Sequence, residues 1–162
     1  MKKFSRGMVM KAAIAIALSH HADLIIMDEP TSGLDPIFRR ELLDLLHQLL
    51  QNEKKSILFS THITSDIERI ADYITFILDG QIIFSSTKDD VLEKYAMVKG
   101  GNDLLDQEMR RSFKGLRRSA FGFEALTDDV EKMRKKYGSS LVIEKATLED
   151  IMYFSNQRVY DA

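Results

Sequence analysis

The sequence contains no cysteine, only two prolines and no long hydrophobic run. Without cysteine, disulfide bridges, a thiol nucleophile and cysteine-ligated zinc are excluded. The longest unbroken apolar stretch covers residues 12–18, well short of the roughly 18 residues that indicate a membrane-spanning helix. No N-terminal stretch has the pattern of a secretory signal peptide.

Charge of either sign is not in large excess, since 23 Lys and Arg side chains are balanced by 25 Asp and Glu side chains. A protein that binds nucleic-acid phosphates normally carries a basic surplus, so we expect no nucleic-acid partner. Of the 162 residues, 44% are apolar, which is enough for the chain to fold around its own core. The composition therefore predicts a soluble globular protein.

The hydrophobic pattern predicts an α/β fold, in which strands and helices alternate in the first half of the chain. Residues 24–27 and 57–60 are short apolar runs, typical of parallel strands that are covered on both faces. Residues 5–20 predict a helix that is too apolar all round to lie on a surface. Residues 36–52 predict an amphipathic helix with leucines at helical spacing.

Turn and cap signals predict two further elements. Asp79-Gly80 lies between two apolar runs, which indicates a β-hairpin. Ser65 and Glu68 resemble a capping box that opens a helix.

The rest of the chain is more polar and predicts a separate α+β unit with the order βαββαβα. One helix of this unit is expected over residues 103–111. We place the boundary between residues 86 and 96, which divides the chain into residues 1–95 and residues 96–162.

Two carboxylates follow the first predicted strand, in the run LIIMDEP at residues 24–30. Asp28 and Glu29 therefore end a strand, and ligands of open α/β sheets bind beyond the strand ends. An acidic pair there suits a hydrated Mg²⁺, although an acidic turn is the structural alternative. His62 follows the second strand and reaches the same rim if the two strands are adjacent and parallel. It is then a candidate γ-phosphate donor, with a surface imidazole as the alternative.

The loop after the acidic pair, TSGLDP at residues 31–36, is framed by the only two prolines of the chain. Proline fixes φ and Gly33 permits a bend, so a stiff loop of defined shape leads into the next helix. Asp35 directly precedes Pro36, which makes it a good N-cap as well as a candidate functional residue.

The segment FSRGM at residues 4–8 opens the first helix and is a candidate phosphate site. Free N–H groups and the dipole at a helix N-terminus attract anions, and Gly7 permits close approach. The alternative is that Ser5 is an ordinary N-cap.

Taken together, these segments resemble the ATP-binding subunit of ABC transporters, in the order that this family shows. Residues 4–8 resemble its signature loop, residues 24–29 its Walker B strand, residues 32–35 its D-loop and His62 its switch histidine. The run DEPTSGLD, from Asp28 to Asp35, is a highly specific match.

The resemblance implies a role for each matching residue. Asp28 would hold Mg²⁺ through water, Glu29 would be the general base for the attacking water, and His62 would contact the γ-phosphate of ATP. Asp35 would signal between two subunits, and Ser5 and Gly7 would touch the γ-phosphate of ATP bound to the opposite subunit. The implied nucleotide-binding residues are Phe4, Ser5, Arg6, Gly7, Met8, Ser32, Gly33, Leu34 and Asp35.

The resemblance covers about residues 4–95 and implies the fold of a P-loop NTPase domain with mainly parallel strands, followed by a small α+β extension. It implies two partners, a second nucleotide-binding subunit and a transmembrane permease, at the cytoplasmic face of the cell membrane. The Ser-x-Gly-Met form of residues 5–8 is similar to that of bacterial exporters of peptides and antibiotics.

The sequence departs from the family pattern in two places. The signature loop reads FSRGM where the family usually has LSGGQ. None of the eight glycines is followed by lysine, so the phosphate-binding pattern GxxxxGK[ST] is absent. We therefore expect the C-terminal portion of such a subunit, inactive as an ATPase by itself.

Two other functions fit parts of the pattern. An ATPase without a transport role is disfavoured, because ribosome-acting members tend to have NHLD where residues 32–35 read SGLD. A non-catalytic module that dimerises or regulates without turnover remains open. The ATP affinity of this chain, alone and mixed with a full-length partner, separates such a module from an ATPase subunit.

Overall fold

The computed structural model describes residues 6–20 and 22–157. The chain divides into two compact units, Met1–Ala71 and Asp72–Ala162. The boundary that the sequence places at residues 95 and 96 falls inside the second unit and stays a prediction about where the motif-bearing part ends. Across the described residues, none of the helices combines the length and the apolar character needed to cross a bilayer.

The first unit alternates helices and strands, as the sequence predicts. Its elements are α1 (Arg6–Ser19), β1 (Leu24–Asp28), α2 (Pro36–Leu50), β2 (Ser56–Ser60) and α3 (Thr64–Ile70). Strands β1 and β2 are parallel, and Asp28 pairs with Ser60 at the end of the ladder. The predicted parallel arrangement is confirmed, and it brings the carboxyl ends of both strands to one edge.

Helix α2 begins where the sequence places its cap. The Asp35 side chain accepts a hydrogen bond of 3.0 Å from the Phe38 N–H, and Pro36 occupies the first turn, where its missing N–H costs nothing. The leucines of α2 form the core of the unit with α1 and α3. The buried members of this core are Ile14, Leu42, Leu43, Leu46 and Ile70.

Two burial predictions for this unit are wrong. Ile26 in β1 is 69% exposed and Leu58 in β2 is 61% exposed, so the strands are not covered on both faces. Helix α1 also exposes apolar side chains, including Val9 and Ile16. The physical reason is that α1, α2 and α3 share one core with Met27, Ile57 and Phe59, on a single face of the strand pair.

The second unit opens with the predicted hairpin. Strands β3 (Tyr73–Leu78) and β4 (Gln81–Thr87) are antiparallel, and both turn residues, Asp79 and Gly80, have positive φ. Such a turn matches the natural twist of paired strands, which is why the Asp-Gly pair is so informative. Helix α4 (Lys88–Lys94) follows, and Thr87 caps it by accepting a hydrogen bond from the Asp90 N–H.

The rest of this unit is a four-stranded antiparallel sheet in the order β6-β7-β5-β8. Its strands are β5 (Ala96–Gly100), β6 (Phe113–Ser119), β7 (Gly122–Thr127) and β8 (Val142–Lys145). Its helices are α5 (Gln107–Arg111), α6 (Val130–Tyr137) and α7 (Leu148–Asn156), with 3₁₀ turns at Asn102–Leu104 and Gly138–Ser140. The predicted order βαββαβα is confirmed.

One helix of this unit differs from the prediction. The expected helix over residues 103–111 is interrupted, because the Asp106 side chain accepts a hydrogen bond of 2.6 Å from the Met109 N–H and so starts a new helix. The core of the sheet is well buried all the same. It includes Val98, Leu105, Met109, Phe113, Phe123, Ala125, Met133 and Leu141.

Candidate active site

The ends of β1 and β2 are joined by side-chain and backbone hydrogen bonds. The Ser60 hydroxyl donates to Asp28 Oδ1, and the Glu29 N–H donates to the Ser60 carbonyl and hydroxyl, each at 3.1 Å. The two acidic residues are therefore held at the edge of the sheet, where the polar ends of both strands meet.

His62 and Glu29 contact each other at this edge. His62 Nδ1 lies 2.8 Å from Glu29 Oε1, across a gap of 33 residues in the sequence. The structure thus brings Asp28, Glu29 and His62 together, as expected for adjacent parallel strands. Since Nδ1 faces the carboxylate, Nε2 is the ring nitrogen left for another partner.

Glu29 has two unusual features. Its φ is +45°, a left-handed conformation that is costly for a residue with a side chain. Its Oε2 atom is buried and has no hydrogen-bond partner among the described residues. A strained backbone and an unsatisfied carboxylate oxygen are both features that cluster at functional sites.

The loop from residue 30 to residue 35 is partly buried and partly exposed. Gly33 has φ of +70°, as a bend requires, whereas Leu34 packs against the core of the first unit. Ser32 and Asp35 are exposed. Asp35 acts as the N-cap of α2, so the structural alternative for this residue is realised, and its signalling role stays a prediction.

A buried polar cluster behind this loop is the part of the site that sequence reasoning missed. It consists of the buried Thr31 and Asp66, together with the partly exposed Arg39 and the exposed Ser65 at its border. Thr31 Oγ1 donates to Asp66 Oδ2 at 2.5 Å, and Arg39 donates to Asp66 Oδ1 through Nε at 2.8 Å. Asp66 is completely buried and Thr31 is 1% exposed.

The predicted capping box at Ser65 is wrong. Helix α3 begins at Thr64 without a side-chain cap, and the Ser65 hydroxyl instead accepts a hydrogen bond of 2.7 Å from Arg39. A sequence signal for the cluster does exist. Asp66 lies four residues before Ile70, which is a core residue, so an acidic side chain occupies the buried face of a helix.

The segment proposed for phosphate contact lies at the start of α1. Phe4 and Ser5 fall outside the described residues, as does the side chain of Arg6. Gly7 is half-buried and Met8 is exposed in the first turn of the helix. The structure therefore gives the position of the helix start and leaves the role of the segment as a prediction.

The donor set at the sheet edge fits Mg²⁺ as one part of a larger site. Within the described part of the chain, no cluster of three or more His, Asp or Glu side chains forms a metal site by itself. Mg²⁺ commonly takes one or two carboxylates and fills its other positions with water and substrate phosphates. Asp28, at the exposed strand end, provides one such carboxylate.

The first unit is thus a mixed α/β fold in which two acidic residues and a histidine lie at the ends of two parallel strands. A family model described as "AAA domain, putative AbiEii toxin, Type IV TA system" matches residues 1–65. That model supports a P-loop NTPase-like fold for the first unit.

Comparison with curated proteins narrows the class. The chain is 43% identical over 81 residues to a bacitracin transport ATP-binding protein of Bacillus licheniformis, which covers 50% of this chain and 26% of that protein. It is 43% identical over 88 residues to a lantibiotic transport ATP-binding protein of Streptococcus pyogenes, covering 54% of this chain and 38% of that protein. The chain is therefore a homologue of ABC transporter ATP-binding proteins.

A third relative matches nearly the whole chain. A fluoroquinolones export ATP-binding protein of Mycobacterium tuberculosis is 27% identical over 152 residues, which cover 92% of this chain and 48% of that protein. The chain spans about a quarter to a half of the length of these relatives.

Proposed function

We propose that this chain is the C-terminal portion of the ATP-binding subunit of a bacterial ABC exporter. The observation that carries the proposal is the contact between Glu29 and His62 beside Asp28, in a chain homologous to such subunits. Residues 1–95 form the motif-bearing part, and residues 96–162 form an accessory α+β domain that modulates assembly or coupling.

In the proposed reaction Glu29 is the general base. A water attacks the γ-phosphorus of ATP, the bond from that phosphorus to the bridging oxygen breaks, and ADP and phosphate leave. The Glu29 carboxylate accepts the proton of the attacking water. Asp28 would hold Mg²⁺ through water, and the ion would supply positive charge that neutralises the phosphates.

His62 orients the site from the end of β2. Its Nδ1 contacts Glu29, which fixes the ring, and its Nε2 would contact the γ-phosphate. The pair couples the general base to the presence of a triphosphate.

The proposed partners are a second nucleotide-binding subunit and a transmembrane permease, at the cytoplasmic face of the membrane. Phe4, Ser5, Arg6, Gly7 and Met8 would contact ATP held by the opposite subunit. Ser32, Gly33, Leu34 and Asp35 would belong to the same nucleotide-binding site, and Asp35 would signal between the subunits. Export is favoured because the relatives are named for transport of bacitracin and lantibiotics and for export of fluoroquinolones.

A non-catalytic regulatory or dimerisation module is the second candidate. The observation that favours it is the absence of the phosphate-binding pattern GxxxxGK[ST] from this sequence. Without that pattern, neither a P-loop lysine nor a glycine-rich loop is present to bind a triphosphate.

ATP turnover distinguishes the two candidates. The chain alone is expected to show no ATPase activity, whereas a complete subunit that carries a P-loop before this chain should hydrolyse Mg·ATP. In that subunit Asp28→Asn should weaken Mg²⁺-dependent binding as well as turnover. Hydrolysis by the purified chain alone, or an inactive complete subunit that binds ATP and dimerises, would contradict the proposal.

A further inference from the structure

The buried polar cluster links the two segments that carry the candidate catalytic pair. Thr31 lies two residues after Glu29, and Asp66 lies four residues after His62. In addition to the pairing of β1 with β2, two side-chain contacts therefore join these segments. One join is the partly exposed Glu29–His62 contact, and the other is the buried Thr31–Asp66 hydrogen bond.

Asp66 is the centre of the cluster. Its two carboxylate oxygens receive the Thr31 hydroxyl, the Arg39 Nε–H and an Arg39 Nη2 group 2.7 Å away. Arg39 belongs to α2, which starts at the end of the loop 30–35, and its Nη2 also donates to Ser65. Each charge in the cluster has a partner, so burial of Asp66 is compensated by hydrogen bonds and by an opposite charge.

The backbone of Glu29 needs external support. A positive φ at a residue with a side chain persists only where the surroundings enforce it. On the strand side, Ser60 fixes the Glu29 N–H. On the loop side, Pro30 and Thr31 are buried, and the Thr31 hydroxyl is held by Asp66.

We infer that Asp66 and Thr31 are positioning residues that set the placement of Glu29 relative to His62, through the loop on one side and α3 on the other. This inference rests on the proposed function for its catalytic consequence, but its structural content can be tested separately. Neither residue needs a contact with ATP in this role. Each acts through the backbone that presents the general base.

Kinetics of the complete subunit test the catalytic consequence. Thr31→Val and Asp66→Asn should each lower kcat by roughly 10- to 100-fold, since a small misplacement of a reacting group has effects of this size. KM for ATP should stay near its wild-type value. The double variant should be no worse than Asp66→Asn alone, because both changes break the same link.

A matched control is available on the same two helices. Asp44 in α2 and Arg69 in α3 form an exposed ion pair of 2.6 Å, which also joins these helices but involves no residue of the loop 30–35. Asp44→Asn should leave kcat unchanged. An equal loss of kcat in this variant, or additive losses in the double variant, would overturn the positioning role.

Amide hydrogen exchange in the 162-residue chain tests the link without any ATPase activity. Thr31→Val should accelerate exchange of the Glu29 N–H by about tenfold, as a local opening, while the N–H of Leu46 in the core of α2 keeps its protection. Acceleration of both amides alike, or of neither, would overturn the inference. An inactive wild-type subunit combined with the expected exchange pattern would instead reject the proposed function and leave the link standing.

Discussion

At the scale of single residues, Glu29 combines the features that the account depends on. Its backbone is left-handed, one carboxylate oxygen contacts His62, and the other is buried without a partner among the described residues. A residue selected for stability alone would adopt none of these features. Function and stability are therefore expected to conflict at this position.

Substitution of Glu29 by glycine and by alanine separates the two effects. Both variants lose the carboxylate, but only alanine keeps a Cβ in the left-handed conformation. We expect Glu29→Gly to be more stable than Glu29→Ala by about 1 kcal/mol in urea unfolding of the chain, the usual cost of a Cβ at positive φ. Equal stabilities would show that the backbone at this position is not strained.

Tyr95 gives a prediction for alkaline pH. Burial raises the pKa of Tyr95 above its ordinary value of 10.0, and the Asp128 carboxylate raises it further, against a smaller opposite effect of Lys114. The folded state therefore holds the phenol proton more tightly than the unfolded state. The associated stability is complete below pH 10 and is lost as the pH rises above it. Tyr95→Phe should flatten this decline in urea titrations, and an unchanged decline would contradict the assignment.

At the scale of elements, helix α7 packs closely against β6 because Gly115 in that strand has no side chain. A Cβ at Gly115 would lie 2.0 Å from the Phe154 carbonyl oxygen, so the helix and strand must separate to accept it. Thr147 and Asp150 form a capping box that fixes the start of the same helix. The position of α7 on the sheet thus depends on one glycine.

Gly115→Ala should lower the free energy of unfolding of the second unit by roughly 1–3 kcal/mol, the range for overpacked sites. The matched control is Phe121→Ala at the tip of the same β6–β7 hairpin, where the side chain is 98% exposed. We expect the control to change stability by less than about 0.5 kcal/mol. A neutral Gly115→Ala variant would mean that α7 moves freely on the sheet.

The elements that the sequence predicts well are those with local causes. Asp79-Gly80 determines a turn, and Asp35-Pro36 determines the start of a helix. In both cases the residues responsible lie within a few positions of each other in the sequence. Asp66 is different, because its partners Thr31 and Arg39 are distant in the sequence and meet it only in the folded unit. Helical spacing places Asp66 on the buried face of α3, but it does not identify these distant partners.

Burial on the sheet could not be predicted for a similar reason. The apolar runs at residues 24–27 and 57–60 correctly indicate strands, but a run of this kind does not say which faces are covered. Ile26 and Leu58 are exposed because the core of the first unit lies on the other face of the strand pair. The proximity of Asp28, Glu29 and His62 could be predicted from the sequence, since parallel pairing alone brings the strand ends together.

At the scale of the whole molecule, we propose that residues 1–95 are a motif-bearing part and residues 96–162 an accessory α+β part; the buried core formed by side chains from Val98 to Leu141 supports this division. Removal of residues 96–162 from the complete subunit should keep ATP binding and hydrolysis while transport coupling or dimer stability is lost. Filter binding of ATP and a transport assay measure the two outcomes. Loss of ATP binding in a truncated protein that is still folded would place the α+β part at the nucleotide site.

The central claim is that Glu29 is the general base of an ATPase whose phosphate-binding part is not contained in this chain. The most direct measurement is ATP turnover by the complete subunit with Glu29→Gln, beside wild type. Glutamine keeps the shape of the side chain but does not accept a proton, so kcat should fall roughly 10²–10⁴-fold while ATP still binds. Unchanged turnover in the Glu29→Gln subunit would contradict the account.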